Sequence, residues 1–202
     1  MRDKDRAGRR FDTRRAAMLD GEGRLEELRP DGLLREVAGL SEGMVCVDIG
    51  SGTGTFSLPM SRLVGDEGIV YAVDESADML EHIRKKQPPA NLKLVHRNAE
   101  RTGLASQVTD FCLLAFILHE VKQADRLVSE VSRLLKPGGK VLIVEWKADR
   151  DSPGPPRKIR LSRERLEGLL EDAGLSLIDY RDWSSNHYAA TGVKKGPHKR
   201  TP

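Results

Sequence analysis

The chain has 202 residues, of which 38% are hydrophobic and 32% are charged, and its formal net charge is +3. These values are typical of a globular domain with a sizeable core, and no apolar run approaches the ~20 residues of a membrane span. The N-terminal segment lacks the apolar central region of a secretory signal, and the two cysteines, Cys46 and Cys112, lie in apolar, strand-like runs. We therefore expect a cytoplasmic protein with buried thiols, no disulfide framework, no metal site and no membrane partner.

Hydrophobic periodicity predicts strands and helices that alternate along the chain. In chain order, the predicted elements are a helix at 31–40, a strand at 44–49, a helix at 55–64, a strand at 69–73, a helix capped by Ser76, strands at 92–96 and 108–115, a helix at 124–136, a strand at 140–146, a helix capped by Ser162, and strands at 175–181 and 187–193. Near-continuous apolar strands between helices indicate an α/β fold with a parallel sheet that is covered on both faces. The last two strands are close enough in sequence to pair as a hairpin.

A glycine-rich loop, "VDIGSGTGTF" at 47–56, follows the first predicted strand. Gly50, Gly52 and Gly54 permit positive φ angles and leave room for a ligand against the backbone. The start of the next helix offers free N–H groups to a phosphate or carboxylate. Asp74 ends the second strand, twenty residues after Gly54, where an acid can accept hydrogen bonds from both hydroxyls of a ribose. Together these features predict a nucleoside ligand with an anionic group.

Two cofactor classes fit that description, the nicotinamide dinucleotides and S-adenosylmethionine. The dinucleotide fingerprint G-x-G-x-x-G, counted from Gly50, requires glycine at position 55, where this chain has Thr55. The loop instead reads D-x-G-x-G-x-G from Asp48, and the chain lacks a Tyr-x-x-x-Lys catalytic pair. The spacing favours S-adenosylmethionine.

The sequence resembles the class I S-adenosylmethionine-dependent methyltransferases over roughly residues 30–190. The matching segments are residues 47–80, "HRNAE" at 96–100, "DFCLLAFILHEV" at 110–121 and "LLKPGGKVLIVEW" at 134–146. The resemblance implies a Rossmann-like seven-stranded, mostly parallel sheet with helices on both faces and an antiparallel last strand. It also implies S-adenosyl-L-methionine as cofactor and S-adenosyl-L-homocysteine as product.

The resemblance further implies which residues hold the cofactor. Asp48 and the backbone of the loop would hold the methionine part, and Asp74 would hold the ribose with Glu75 beside it. Many relatives have aspartate where this chain has Asn98, so we expect a weaker contact there. The implied cofactor-binding residues are Asp48, Gly50, Ser51, Gly52, Gly54, Asp74, Glu75, Asn98 and Ala99 at the adenine edge, and Ala115, whose carbonyl would lie near the methionine amine.

His119 is the candidate catalytic residue. A sulfonium is already an activated electrophile, so methyl transfer depends mainly on positioning, and a general base is optional. His119 and Glu120 follow the fourth strand, where the transferred methyl group should point. His119 either deprotonates or orients the acceptor, or it only caps or packs the next helix; His187, on a late strand, is less favoured.

Composition divides the chain into three parts: an N-terminal helical lid segment at 1–29, a methyltransferase domain at 30–193, and a basic tail at 194–202 that is predicted to be disordered. The lid and the Pro-rich loop at 147–160 are the candidate walls of the acceptor site. Residues 1–15 carry seven basic and three acidic side chains, and the tail carries four basic and no acidic ones. Apart from Phe11, these termini contain no Phe, Tyr or Trp on which bases could stack, which disfavours nucleic acid as a partner.

The sequence therefore predicts a methyltransferase that acts on a small-molecule acceptor. The alternatives are an RNA or protein methyltransferase guided by the basic termini, and a non-catalytic S-adenosylmethionine-binding module. The sequence leaves open the acceptor atom and the oligomeric state.

Overall fold

Seven strands form one sheet in the computed structural model, which describes residues 13–149, 152 and 154–196. The strands are β1 Val45–Ile49, β2 Ile69–Asp74, β3 Leu92–His96, β4 Thr109–Ala115, β5 Leu135–Trp146, β6 Leu175–Asp182 and β7 His187–Lys194. Their order across the sheet is β3-β2-β1-β4-β5-β7-β6. β1 to β5 pair in parallel, whereas β7 is antiparallel to both β5 and β6. The predicted fold, including the antiparallel last strand, is confirmed.

The strand order reverses between β1 and β4. The chain builds outward from β1 through β2 to β3 and then returns to place β4 on the other side of β1. At such a switch point the connections leave in opposite directions, so a crevice opens at the carboxyl ends of the two strands. The glycine loop follows β1 and therefore lies at this crevice.

Helices cover both faces of the sheet. They are α1 Glu22–Leu28, α2 Pro30–Leu33, α3 Ser57–Val64, α4 Ala77–Lys85, α5 Ala124–Leu134 and α6 Arg163–Asp172, with 3₁₀ turns at Thr13–Asp20 and Arg157–Ile159 and a π-helical turn at Leu34–Ala38. Because strand side chains alternate between faces, Ile143 of β5 belongs to the core cluster that includes residues of α5 and α6, while the adjacent Leu142 belongs to the cluster that includes residues of α3 and α4. None of the described helices has the length and apolar character to cross a membrane.

Two helices begin at the serines that the sequence predicts as caps. The Ser76 hydroxyl accepts from the Met79 N–H, and the Ser162 hydroxyl accepts from the Arg165 N–H, both at 3.3 Å. Each such cap contributes about 0.5–2 kcal/mol of stability. The caps fix the residues at which α4 and α6 begin.

The boundary between α5 and β5 differs from the prediction. The helix ends at Leu134 rather than at 136, and the strand begins at Leu135 rather than at 140. Leu135 pairs with Thr109, and the register shifts before Phe111 pairs with Lys140. Pairing with β4 thus extends the strand through the Pro-Gly-Gly segment.

The described part of the predicted lid packs against the rest of the molecule. Leu28 is buried, and its carbonyl accepts a hydrogen bond from Trp183 Nε1 at 2.6 Å. Asp20 accepts from the Thr53 hydroxyl at 2.8 Å and pairs with Lys86 at 2.6 Å. Residues 13–28 therefore contact both the glycine loop and the β6–β7 hairpin, while residues 1–12 of the predicted lid and 197–202 of the predicted tail lie outside the described residues.

Candidate active site

The backbone after β1 has the conformation that its glycines permit. Gly50 has a φ of 76°, and its N–H donates to the Val73 carbonyl at 2.8 Å. A Cβ at this position would lie 2.5 Å from Ile117 Cδ1, so the segment after β4 packs directly on the loop. Both the left-handed conformation and this contact require glycine at position 50.

Asp74 connects the end of β2 to the glycine loop. Its Oδ2 accepts from the Gly52 N–H at 2.9 Å, and its Oδ1 accepts from the Ser76 N–H at 2.8 Å. Burial raises the pKa of the Asp74 carboxyl above its ordinary value, although these two hydrogen bonds act in the opposite direction. The structure thus brings together the acid and the loop that the sequence predicts to share a ligand.

A cavity of about 620 Å³ lies where β1 to β4 end at the switch point. Its lining residues are Gly50, Val73, Asp74, Glu75, Asn98, Ala99, Glu100, Ile117, Glu120, Val121, Lys122 and Gln123. Five of the predicted cofactor residues are in this set: Gly50, Asp74, Glu75, Asn98 and Ala99. The other five, Asp48, Ser51, Gly52, Gly54 and Ala115, are outside it.

Asp48 and Ser51 are buried beside the loop. The Asp48 carboxylate accepts a hydrogen bond from the Ser57 hydroxyl, and burial raises its pKa to about 7. Ser51 Oγ has no hydrogen-bond partner among the described residues. A buried hydroxyl without a partner is uncommon, so a polar ligand group at this loop would satisfy it.

Another part of the cavity wall is formed where β2 and β3 end. Asn98 Nδ2 donates to Glu75 Oε2 at 3.1 Å, and Asn98 Oδ1 accepts from the Glu100 N–H at 2.8 Å. The amide is therefore held in a defined orientation by a side chain from the neighbouring strand end. The adjacent residue, Ala99, also lines the cavity.

The turn after Ala115 is strained. Phe116 has a φ of 60°, which is rare for a bulky residue, and its N–H donates to the Val144 carbonyl at 2.8 Å. Such a conformation costs of order 1–3 kcal/mol and persists only where packing enforces it. Here the Phe116 ring packs against Trp146 and His187, with ring centroids 6.0 and 5.0 Å apart. Nothing in the sequence indicated this turn.

His119 is paired with a carboxylate that sequence reasoning missed. His119 Nδ1 lies 2.8 Å from Glu145 Oε2, and the His119 backbone N–H donates to Glu145 Oε1 at 3.3 Å. Burial lowers the pKa of the imidazole, but the hydrogen bond and charge of Glu145 outweigh it, so the pKa is raised above its ordinary value. The available signal was a single acid in the apolar run "VLIVEW".

Glu120 links this pair to the cavity. It lines the cavity wall, and its Oε1 lies 3.8 Å from His119 Nε2. Burial raises the pKa of Glu120 to about 7, with Glu145, Asp74 and Glu75 adding to the effect and His119 opposing it. His119, which is 8% exposed, is not in the lining set, so the group that faces the cavity is its neighbour.

His187 occupies a different environment. It is 3% exposed on β7 and packs edge-on against Trp146, with ring centroids 4.3 Å apart. Its Nδ1 lies 2.9 Å from the Ser184 hydroxyl, and burial lowers its pKa to about 4. The imidazole is therefore neutral at physiological pH and belongs to an aromatic cluster with Phe116 and Trp146.

Comparison with known proteins places this site in context. The family described as "Methyltransferase domain" matches residues 47–143. The ubiquinone/menaquinone biosynthesis C-methyltransferase UbiE of Shewanella halifaxensis is 36% identical over 170 residues, which cover 82% of this chain and 65% of that protein. The UbiE of Haemophilus ducreyi is 33% identical over 115 residues, 55% of this chain and 44% of that protein. The chain thus spans between 44% and 65% of the length of these curated relatives.

Among solved structures, a S-adenosylmethionine-dependent methyltransferase from Aquifex aeolicus superposes with a TM-score of 0.84 at 29% identity. The match covers 91% of this chain and 99% of that one. The likeness therefore extends over most of the chain.

Proposed function

Because this chain belongs to the class I S-adenosylmethionine-dependent methyltransferases, we propose that it transfers a methyl group from S-adenosylmethionine to a small-molecule acceptor. The observation that carries the proposal is the cavity of about 620 Å³ at the switch point. Ligand pockets of this kind fall between about 300 and 1,000 Å³ and combine apolar walls with a few polar groups. The cavity combines Val73, Ile117 and Val121 with the carboxylates of Asp74 and Glu75.

The residues around the glycine loop fit the cofactor. We expect Asp74 to accept from the ribose hydroxyls, with Glu75 beside it, and Asn98 and Ala99 to meet the adenine edge. Asp48, the loop at 50–54 and the Ala115 carbonyl are expected to hold the methionine part. The unpartnered Ser51 hydroxyl and the positive φ of Gly50 support this assignment. When bound, the cofactor supplies a methyl group activated on a sulfonium.

The task of the protein is then to orient the acceptor and to exclude water. We propose that the N-terminal segment at 1–29 acts as the lid. Asp20 supports this role, because it connects the segment to Thr53 in the glycine loop and to Lys86 at the end of α4. Arg160 holds the Pro-rich loop, the other proposed wall, by donating to the carbonyls of Pro155 and Lys147 at 2.9 and 3.0 Å.

The acceptor class is the part of the proposal that needs a direct experiment. The curated relatives are named for C-methylation in ubiquinone and menaquinone biosynthesis, so quinone precursors belong among the acceptors to test. We would incubate the protein with methyl-labelled S-adenosylmethionine and a panel of small phenols, quinols, amines and thioethers, and read the products by mass spectrometry. RNA and a protein extract would be included in the panel.

We expect label on at least one small molecule and none on the macromolecules. Label on RNA, with binding that weakens steeply as salt is raised, would assign the basic termini to substrate binding and overturn the small-molecule proposal. Cofactor binding without turnover on any acceptor would identify a non-catalytic module. The cytoplasmic location stays a prediction.

A further inference from the structure

Three ionisable side chains form a continuous line from the buried end of β5 to the cavity. Glu145 is 1% exposed and lies 2.8 Å from His119 Nδ1. His119 Nε2 lies 3.8 Å from Glu120 Oε1, and Glu120 lines the cavity. The distance of 3.8 Å exceeds a hydrogen bond, but a small rotation of the Glu120 side chain closes it.

The order of Glu145, His119 and Glu120 determines which of them can accept a proton from the cavity. A buried carboxylate accepts the Nδ1–H proton, so neutral His119 carries its free electron pair on Nε2, on the side of Glu120. Glu145 also accepts from the backbone N–H groups of His119 and Trp146, at 3.3 and 3.2 Å, which holds its carboxylate in place. Glu120 is thus the outermost group, and the imidazole behind it can receive a proton that Glu120 has taken up.

Resting on the proposed function, we propose that Glu120 removes the proton from the methyl acceptor and that His119 and Glu145 hold it, so that the acceptor is a weak acid with an O–H, N–H or activated C–H bond. That bond breaks, its proton moves to Glu120 and then to His119 Nε2, and its electron pair stays on the acceptor. The electron pair forms the bond to the transferred methyl group as the methyl–sulfur bond breaks, which leaves S-adenosylhomocysteine. The imidazolium then lies between two carboxylates until its proton returns to water.

The charges around the line determine its response to pH. Glu145 and Glu120 favour the imidazolium form of His119, while Arg160 disfavours it. Asp74 and Glu75, at the end of β2, together with Glu145, disfavour the ionised form of Glu120. Replacing Glu145 by glutamine removes a negative charge from beside His119 and must therefore shift the His119 titration to lower pH.

The first test uses the ligand-free protein and requires no acceptor. Imidazole NMR signals would be followed from pH 5 to 9 in the wild type, Glu145→Gln, Glu120→Gln and Glu100→Gln, with His119→Gln identifying the His119 signal among the five histidines. We expect the His119 titration to move to lower pH in both Glu145→Gln and Glu120→Gln. Glu100→Gln is the matched control, because it removes another carboxylate from the cavity wall away from His119, and it should leave the titration in place.

A His119 titration that is the same in the wild type and in Glu120→Gln would overturn the proposal, whatever the acceptor. Glu120 is 31% exposed, so this variant should fold even if the buried Glu145→Gln does not. If Glu145→Gln does not fold, the His119 titration in Glu120→Gln alone decides the test.

The second test is kinetic, with the phenols and quinols of the labelled-methyl panel as acceptors and its thioethers, which have no proton to lose, as the comparison. General-base catalysis contributes ~10²–10⁴-fold, so kcat of Glu120→Gln should fall by about 10²-fold or more. The Kd of S-adenosylhomocysteine, measured by calorimetry, should change far less than kcat. The same kcat comparison with Glu100→Gln separates loss of a base from loss of a cavity charge.

Weakened cofactor binding with unchanged kcat would assign Glu120 to the cofactor instead. Methylation of a thioether, which has no proton to lose, at the rate of a phenol would also overturn the proposal. A wild-type protein that methylates no member of the panel refutes the proposed function. The His119 titration tests the coupling between Glu120 and His119 independently of that result.

Discussion

At the scale of single residues, Asp74 both forms hydrogen bonds to the backbone and lines the cavity. Its carboxylate accepts from backbone N–H groups on the glycine loop and at the start of α4. It also lines the cavity, where it is expected to meet a ribose. The same side chain therefore organises the glycine loop and is expected to contact the ligand.

Replacing Asp74 by alanine should weaken S-adenosylmethionine binding about ten- to a hundredfold. Hydrogen bonds to a charged acceptor contribute roughly 1.5–3 kcal/mol, and ~1.4 kcal/mol corresponds to one decade in Kd. Calorimetric titration would measure the change, with the exposed Asp66→Ala as control. An affinity equal to that of the control would make Asp74 a structural residue only.

Asp48 should make stability depend on pH. Burial raises its folded-state pKa from 3.8 to about 7, so the group stabilises the fold fully below about pH 4, and this contribution is lost as the pH rises towards 7. Over that interval the loss is at most about 4 kcal/mol, at ~1.36 kcal/mol per pH unit.

The test is Asp48→Asn, which stays neutral at every pH and can still accept from Ser57. Urea unfolding at pH 5 and pH 8 should show that the stability of Asp48→Asn relative to the wild type increases with pH. The exposed Asp66→Asn serves as control. An equal difference at the two pH values would contradict a raised pKa at Asp48.

Sequence reasoning reached Asp74 and the glycine loop together because the two follow neighbouring parallel strands at a fixed spacing. It identified His119 from its place after the fourth strand but did not find Glu145, which lies 26 positions later. Their contact exists because β4 and β5 are adjacent and end side by side. The sequence contains the residues of that pair but not the geometry that joins them.

At the scale of elements, the segment at 116–123 forms one wall of the cavity. The positive φ of Phe116 sets the direction of this segment, and Ile117 packs on Gly50.

The prediction of the helix caps was accurate because Ser76 and Ser162 each bond to an N–H group within one turn of chain. The prediction of where β5 starts was wrong, because that start depends on pairing between Leu135 and Thr109, which are distant in sequence.

Gly50→Ala should destabilise the protein more than Gly39→Ala. Both glycines have positive φ, 76° and 64°, but a Cβ at Gly39 meets no atom within 4 Å, whereas one at Gly50 meets Ile117. The conformation alone costs about 1–2 kcal/mol, and overpacking adds about 1–3 kcal/mol. Chemical denaturation would measure both variants.

The double variant Gly50→Ala/Ile117→Ala tests the origin of the difference. Removing the Ile117 side chain should recover part of the loss at Gly50, so that the two effects are not additive. Strict additivity would show that the loop and the segment after β4 do not press on each other.

At the scale of the whole molecule, four strand ends contribute to one cavity, so a bound ligand connects elements far apart in sequence. S-adenosylmethionine and S-adenosylhomocysteine should therefore raise the melting temperature, and NAD should not. Ligand at ~100 times Kd adds about 2.7 kcal/mol to the free energy of unfolding. A melting-temperature increase with NAD alone would contradict the cofactor assignment.

The position of β7 between β5 and β6 has a consequence for synthesis of the protein on the ribosome. β5 ends at Trp146, but its partner on one side starts only at His187, after β6 has been made. At ~5–20 residues per second, β5 presents an unpaired, apolar edge for ~2–10 s before β7 exists. A nascent chain halted in this interval should be a substrate for chaperones, and premature termination before residue 187 should give an insoluble fragment rather than a smaller folded domain.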